Sequence, residues 1–228
     1  MIRRVRIPKA NGKLRALGIT TIEDRVVQKA IAWVLSAVFE RDFLDSSHGF
    51  RPNRSPHTAL HRLRDGMMQH WAKYVVEVDV VSYFDSVNWA WLRKFVRHRV
   101  NDGGLIRLLN KWLKAGVMEN GVVTLSAEGV PQGGPVSPVL SNIYLHYVLD
   151  LWFERRFKKG CRKWTELTRY ADDFVAAFQD QDDAERFRRE VSWNSSRGFA
   201  TGEARGSFHQ SFKREPSAGI SGDTRCGR

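Results

Sequence analysis

Three aspartates, in two places, have the type and setting to hold a divalent cation. Asp172 and Asp173 stand side by side in Leu167-Thr168-Arg169-Tyr170-Ala171-Asp172-Asp173-Phe174-Val175-Ala176-Ala177-Phe178. A β-rich run, a polar pair and a second β-rich run predict a strand–turn–strand hairpin with the carboxylates at its tip. Adjacent carboxylates repel one another and invite a cation; the plain alternative is a solvated turn, which aspartate favours. Asp79 closes the alternating run Tyr74-Val75-Val76-Glu77-Val78-Asp79, a predicted strand, and Ser82-Tyr83-Phe84-Asp85 follows it. Magnesium prefers carboxylate oxygen, and a shared site needs carboxylates converging from separate strands. A strand end and a hairpin tip supply that pattern.

Other elements must position these groups. Ile7 to Ile19 reads as a β-hairpin turning at Asn11-Gly12, with Lys9, Lys13 and Arg15 on its arms. Thr21-Ile22-Glu23-Asp24 resembles a capping box, and Val26, Val27, Ala30, Ile31, Val34, Leu35, Val38 and Phe39 recur behind it at helical spacing as an expected core stripe. Ser46-Ser47-His48-Gly49-Phe50-Arg51-Pro52 is a loop in which His48 has no evident special role, and Ser55-Pro56 starts the next helix. Helices are predicted from about Trp89 and over Leu105 to Leu113. A second hairpin, Val117 to Leu125, turns at Asn120-Gly121. Gly129-Val130-Pro131-Gln132-Gly133-Gly134-Pro135-Val136-Ser137-Pro138 is a Gly/Pro-rich loop. It runs into a long helix whose Leu140, Ile143, Tyr144, Tyr147, Val148 and Leu151 form a buried stripe.

Taken in order, these stretches resemble the reverse transcriptase family, with the closest likeness to bacterial group II intron-encoded and retron-type enzymes. The likeness covers roughly residues 2 to 190. It implies an α/β (α+β) fold: a right-hand polymerase fingers–palm with an antiparallel palm sheet and packed helices, the thumb absent. The implied activity is RNA-directed DNA polymerase, a nucleotidyl transfer to a primer with two Mg2+ ions, for which Mn2+ can substitute. By the same resemblance Asp79 and Asp172 are the main metal ligands and Asp173 supports them. Lys9 and Arg15 hold the nucleotide triphosphate, Arg51 lies beside template and nucleotide, and Phe84 packs under the sugar and rejects a 2′-hydroxyl. Gln132 contacts nucleotide or template. Lys13 and the backbone amides near Gly133 and Gly134 approach nucleic-acid phosphate, glycine leaving room for it. Taken singly, each of the three cations reads first as a solvated strand residue, and Phe84 as a core phenylalanine. The implied partners are an RNA template, a DNA or RNA primer and deoxynucleoside triphosphates, with the parent intron or retron RNA as a further candidate and no membrane.

Composition agrees with a nucleic-acid partner. The 228 residues carry 37 Lys+Arg against 25 Asp+Glu, a net charge of +12, which attracts polyanions. Cys161 and Cys226, the two cysteines, make neither a disulfide framework nor a zinc pattern. No apolar run of spanning length and no signal peptide is evident, so a reducing cytoplasm is the default. Residues 1–191 form the expected fingers–palm domain. From Ser192 to Arg228 the chain turns Ser/Gly-rich and basic, with six basic against three acidic residues. That composition predicts a disordered tail with no apolar face to pack. Further palm strands are not recognisable there, which suggests a fragment of a longer element with a frameshift near residue 191. Three readings stay open: an active polymerase, a catalytically defective RNA-binding remnant lacking thumb and primer grip, and an unrelated metal-dependent nuclease. The finger cations, Phe84 and the Pro-Gln-Gly loop argue against the last.

Overall fold

The hairpin that opens the chain and the hairpin that carries Asp172 belong to different sheets. The computed structural model describes residues 2–8, 12, 14–80, 83–119, 122–124, 128–130, 133–194 and 204–210. For 14–16, 79, 117, 119, 192–194 and 204–210 the description is of backbone only. Strands β1 (Ile2–Pro8) and β2 (Leu14–Ile19) pair antiparallel from Arg3↔Ile19 to Pro8↔Leu14. The first strand thus starts five residues before the expected arm at Ile7. The second predicted hairpin forms as β4 (Val117–Glu119) and β5 (Val122–Thr124), and β4 joins β1 in parallel, giving a sheet of order β2-β1-β4-β5. The Asn11 and Asn120-Gly121 turn positions lie outside the described residues, as do Lys9 and Lys13.

Helix α1 (Ile22–Phe39) starts as its sequence predicts, with the Thr21 hydroxyl accepting from the Asp24 backbone N–H. Its buried face corrects the expected stripe. Gln28, Ala32, Leu35 and Phe39 are buried, whereas Val26 and Val34 are 64% and 54% exposed. The expected positions wrap around too much of the helix for one contact, while 28, 32, 35 and 39 recur every three or four residues and form the narrower seam the core admits. Helix α2 (Pro56–Gln69) opens on the predicted Ser55 cap, a reciprocal capping box with Thr58.

The second sheet has order β6-β7-β3-β8, antiparallel throughout. Strand β3 (Tyr74–Val80) lies inside it, between β7 (Asp173–Phe178) and β8 (Ala204–Gln210); β6 (Thr165–Tyr170) forms the far edge. Within the tail expected from Ser192, residues 204–210 form strand β8. It pairs with β3 along seven positions, from Tyr74↔Gln210 to Val80↔Ala204. Composition hid it because an edge strand needs only backbone N–H and C=O groups and one open neighbour, here β3. Helix α6 (Gln181–Asn194) also runs past the expected boundary. Residues 195–203 and 211–228 lie outside the described residues.

Helices α3 (Trp89–Arg97), α4 (Gly103–Leu113) and α5 (Ser137–Leu145) cover the sheet and share one core with it. The long helix predicted after Pro138 continues beyond α5 through two π-helical turns, His146–Asp150 and Phe153–Phe157. Leu140, Ile143 and Tyr144 are buried as expected. Phe157 meets Phe187 of α6 edge-on at 5.2 Å, which ties helix to helix over β7. Among the described residues, no helix is long and apolar enough to cross a membrane.

Candidate active site

Backbone hydrogen bonding brings the two carboxylate stretches together. Across β3 and β7, Asp79 and Asp173 are Cα partners, and Tyr170 is the partner of Asp173 on β6. Opposed residues of an antiparallel pair have Cβ atoms about 4.5–5.5 Å apart. Asp172 occupies the tight turn between β6 and β7 with Ala171, whose φ is +59°. Asp172 is half-buried and Asp173 exposed. The charge of Asp172 also reaches Tyr83, just beyond β3. Burial pushes the Tyr83 phenol up first and the Asp172 charge adds to the rise; the phenol donates to the Ser141 carbonyl at 3.1 Å. Two adjacent strands and the β6–β7 turn thus bring three aspartates to one end of the sheet, the residue type that hard divalent cations take as ligands.

Phe84 sits in the short 3₁₀ turn Tyr83–Asp85. It is half-buried against the core, edge-on to Tyr83 at 5.3 Å, and its carbonyl accepts from the Val130 N–H at 2.6 Å. That places it beside the end of β3, neither a fully enclosed core ring nor a free one. Arg15 stands on β2, in the other sheet, as the Cα partner of Ile7. Gln132 lies outside the described residues.

Gly133 and Gly134 are glycines for a packing reason that the sequence did not disclose. Gly133 has φ +109°, and a Cβ there would overlap the Gly18 carbonyl oxygen of β2. A Cβ on Gly134 would run into the Gln28 side chain of α1. The Gly-rich loop is thereby seated against the first hairpin and α1.

Among the described residues, Arg51 bonds neither Asp172 nor Asp173. It is 8% exposed, its guanidinium bonds Glu40 through Nε and Nη2, and Nη1 donates to the Leu44 and Ser47 carbonyls at 2.6 Å each. The geometry gives it the task of tying the 44–51 loop to the end of α1. His48, in the same loop, is 2% exposed. Its N–H donates to the Arg169 carbonyl, and Nδ1 lies 3.1 Å from the Thr58 hydroxyl. Burial, then the positive charges of Arg54, Arg62 and Arg51, lower its pKa to about 4.

Three residues beneath the tip were missed. Arg169, Asp150 and Asn142 are each 1% exposed or less and hydrogen-bonded to one another through Arg169. A signal existed: Asn142, His146 and Asp150 form a polar row at i, i+4 and i+8 along an otherwise apolar helix.

Residues 7–200 match the family described as reverse transcriptase (RNA-dependent DNA polymerase). Protein YkfC of Escherichia coli (strain K12) is 43% identical over 161 residues, 69% of this chain and 42% of that protein. The group II intron-encoded protein LtrA of Lactococcus lactis subsp. cremoris is 40% identical over 155 residues, 66% of this chain and 26% of that one. The retron Mx162 reverse transcriptase of Myxococcus xanthus is 31% identical over 178 residues, 74% and 34% of the two chains. The chain therefore spans less than half the length of these relatives. A telomerase of Candida tropicalis, solved with a fragment of telomeric RNA, superposes with a TM-score of 0.68 at 13% identity, over 92% of this chain and 41% of that one. At that identity the likeness concerns fold alone, and it bears out the right-hand polymerase arrangement: the β2-β1-β4-β5 sheet belongs to the fingers and the β6-β7-β3-β8 sheet to the palm.

Proposed function

Because this chain belongs to the reverse transcriptase (RNA-dependent DNA polymerase) family, we propose that it adds deoxynucleotides to a primer 3′ end, copying an RNA template, at the end of β3 and the β6–β7 tip. The observation that carries this reading is the cross-strand pairing of Asp79 with Asp173, with Asp172 in the adjoining turn. Asp79 and Asp172, supported by Asp173, would hold two Mg2+ ions, or Mn2+ in their place. When bound, such a pair stabilises the attacking and leaving oxygens of an in-line displacement at the α-phosphorus. The chain's own residues do the rest. Phe84 lies under the incoming sugar, where a 2′-hydroxyl would meet its ring. Lys9 and Arg15 neutralise the triphosphate, and Lys13, Gln132 and the loop at Gly133 and Gly134 approach template and nucleotide. The basic surface, net +12, draws RNA in through counterion release. Arg51 supports this site from outside it, through the 44–51 loop.

Primer extension on an RNA template with deoxynucleotides and Mg2+ tests the reading. The 228-residue chain should extend the primer, and Asp172→Asn should not. Salt-sensitive RNA binding without extension in the unaltered chain would favour the second reading, a binding remnant without synthesis. Extension surviving at the wild-type rate in Asp172→Asn would remove Asp172 from the site.

A further inference from the structure

Ala171 holds the left-handed conformation, φ +59°, one residue before Asp172. That conformation is unfavourable for any residue with a Cβ, so something must hold it. Two contacts do. On one side Gly49 packs so closely that a Cβ on it would overlap the Ala171 backbone nitrogen. On the other, Arg169 Nη1 donates to the Ala171 carbonyl at 2.8 Å.

Arg169 is itself fixed at every donor. Nε and Nη2 bond the two Asp150 carboxylate oxygens at 2.8 and 2.7 Å, Nη1 also reaches Asn142 Oδ1 at 2.9 Å, and Nη2 reaches the Ser47 hydroxyl at 2.7 Å. All five N–H groups of the guanidinium are thus engaged. Both side chains of the Arg169–Asp150 pair are wholly buried. Asn142 turns its other end to the Gly49 carbonyl, donating at 2.7 Å, so the two contacts on Ala171 share a support. A buried ion pair is often no more stabilising than apolar side chains of the same volume, so stability alone does not account for this one. A rigid five-donor fork instead specifies direction, which an ammonium cannot.

We propose that Arg169, held by Asp150 and Asn142, is the positioning residue of the palm hairpin: it keeps Ala171 left-handed and so sets where Asp172 and Asp173 stand relative to β3. None of the three need touch substrate. Their effect passes through one carbonyl and one backbone conformation. The metal-binding arm of the test rests on the function proposed above; the backbone arm does not.

The test uses the full 228-residue chain with Arg169→Lys and Asn142→Ala. Two quantities are read: amide hydrogen exchange at Ala171 and Asp172, and Mn2+ affinity by electron paramagnetic resonance. Exchange at the tip should rise about tenfold or more while amides of the helical core keep their protection. Mn2+ affinity should fall about 10–100-fold, the usual loss when a group supporting the ligands is removed. Adding Ala171→Gly to Asn142→Ala should restore much of that affinity, because glycine adopts the left-handed conformation unaided; a general packing defect would not respond so. If Arg169→Lys does not fold, Asn142→Ala alone decides. Unchanged tip exchange in folded Asn142→Ala overturns the proposal. Mn2+ binding that ignores Asp172→Asn counts against the metal reading only, and the exchange result still decides the positioning role.

Discussion

Asp79 and Asp173 are Cα partners across the β3–β7 ladder, and Asp173 is also the first residue after the turn that holds Asp172. A slip of one residue in that ladder would move every side chain of β7 to the opposite face. The register is defended by buried Val76, Val78, Phe174, Ala176 and Phe178, which all lose their core position if it shifts. Carboxamide substitutions should therefore act locally. Asp79→Asn and Asp172→Asn should each lower the single-turnover rate of deoxynucleotide addition by about 10³-fold, several kcal/mol of transition-state charge stabilisation. Asp173→Asn should cost less. RNA affinity, read by filter binding, should stay unchanged in all three.

Phe84→Val should admit ribonucleotides. Removing ring volume beneath the sugar relieves the clash with the 2′-hydroxyl, and discrimination in kcat/KM should fall by about tenfold or more. Competition between matched deoxy- and ribonucleotides measures it. Unaltered selectivity would leave Phe84 as a packing residue beside Tyr83.

Arg51→Ala should chiefly destabilise. It leaves two carbonyls without their donor and Glu40 without its partner, at a cost of about 2–4 kcal/mol in urea unfolding. The third-exposed Glu40 side chain recovers some solvation, which keeps the loss toward the lower end. A large rise in nucleotide KM with normal stability would instead place Arg51 at the nucleotide.

Stability should fall on mild acidification. The folded His48 titrates near 4, below its ordinary 6.5, so between those values the unfolded chain binds the extra proton and unfolding becomes easier. The contribution is complete above about pH 6.5 and lost progressively toward pH 4. His146, also lowered, first by burial, adds to the same slope. Urea midpoints at pH 7, 6 and 5 should decline, and His48→Gln should flatten part of that decline.

Ending the chain at Asn194 should cost at least about 2 kcal/mol of stability, because β3 loses a whole ladder of backbone hydrogen bonds and becomes an edge. Circular dichroism melts of the truncated and full chains compare them directly. Equal melting temperatures would mean that β8 contributes nothing to the palm.

Much of this was legible in the sequence where local rules dominate. Alternation gave β3, the polar pair between apolar runs gave β6 and β7, and Ser55-Pro56 and Thr21 gave two helix starts, because each depends on residues within a turn or a strand. What escaped depends on partners distant in sequence. Strand β8 is recognisable only as the neighbour of β3. The α1 stripe was drawn too wide, because periodicity shows which residues could be buried, and the space beside α5 and the sheet decides which are. The seat of Gly133 against Gly18 joins two stretches far apart in the chain, which no local pattern shows. The role of Arg169 depends on Asp150 and Asn142, 19 and 27 residues away in the chain.

The placement of β3 inside its sheet has a consequence for synthesis. Tyr74–Val80 emerges from the ribosome long before either strand it pairs with, Asp173–Phe178 or Ala204–Gln210. At ~5–20 residues per second, the wait is on the order of ten seconds. Meanwhile the first hairpin, β1 with β2, is local enough to close in about 1–10 μs. Val76, Val78 and Val80, all buried in the finished fold, must stay unpaired through that interval, open to association with other nascent chains. The fingers are therefore free to fold early, and Asp79 meets Asp173 only when most of the polypeptide has been made.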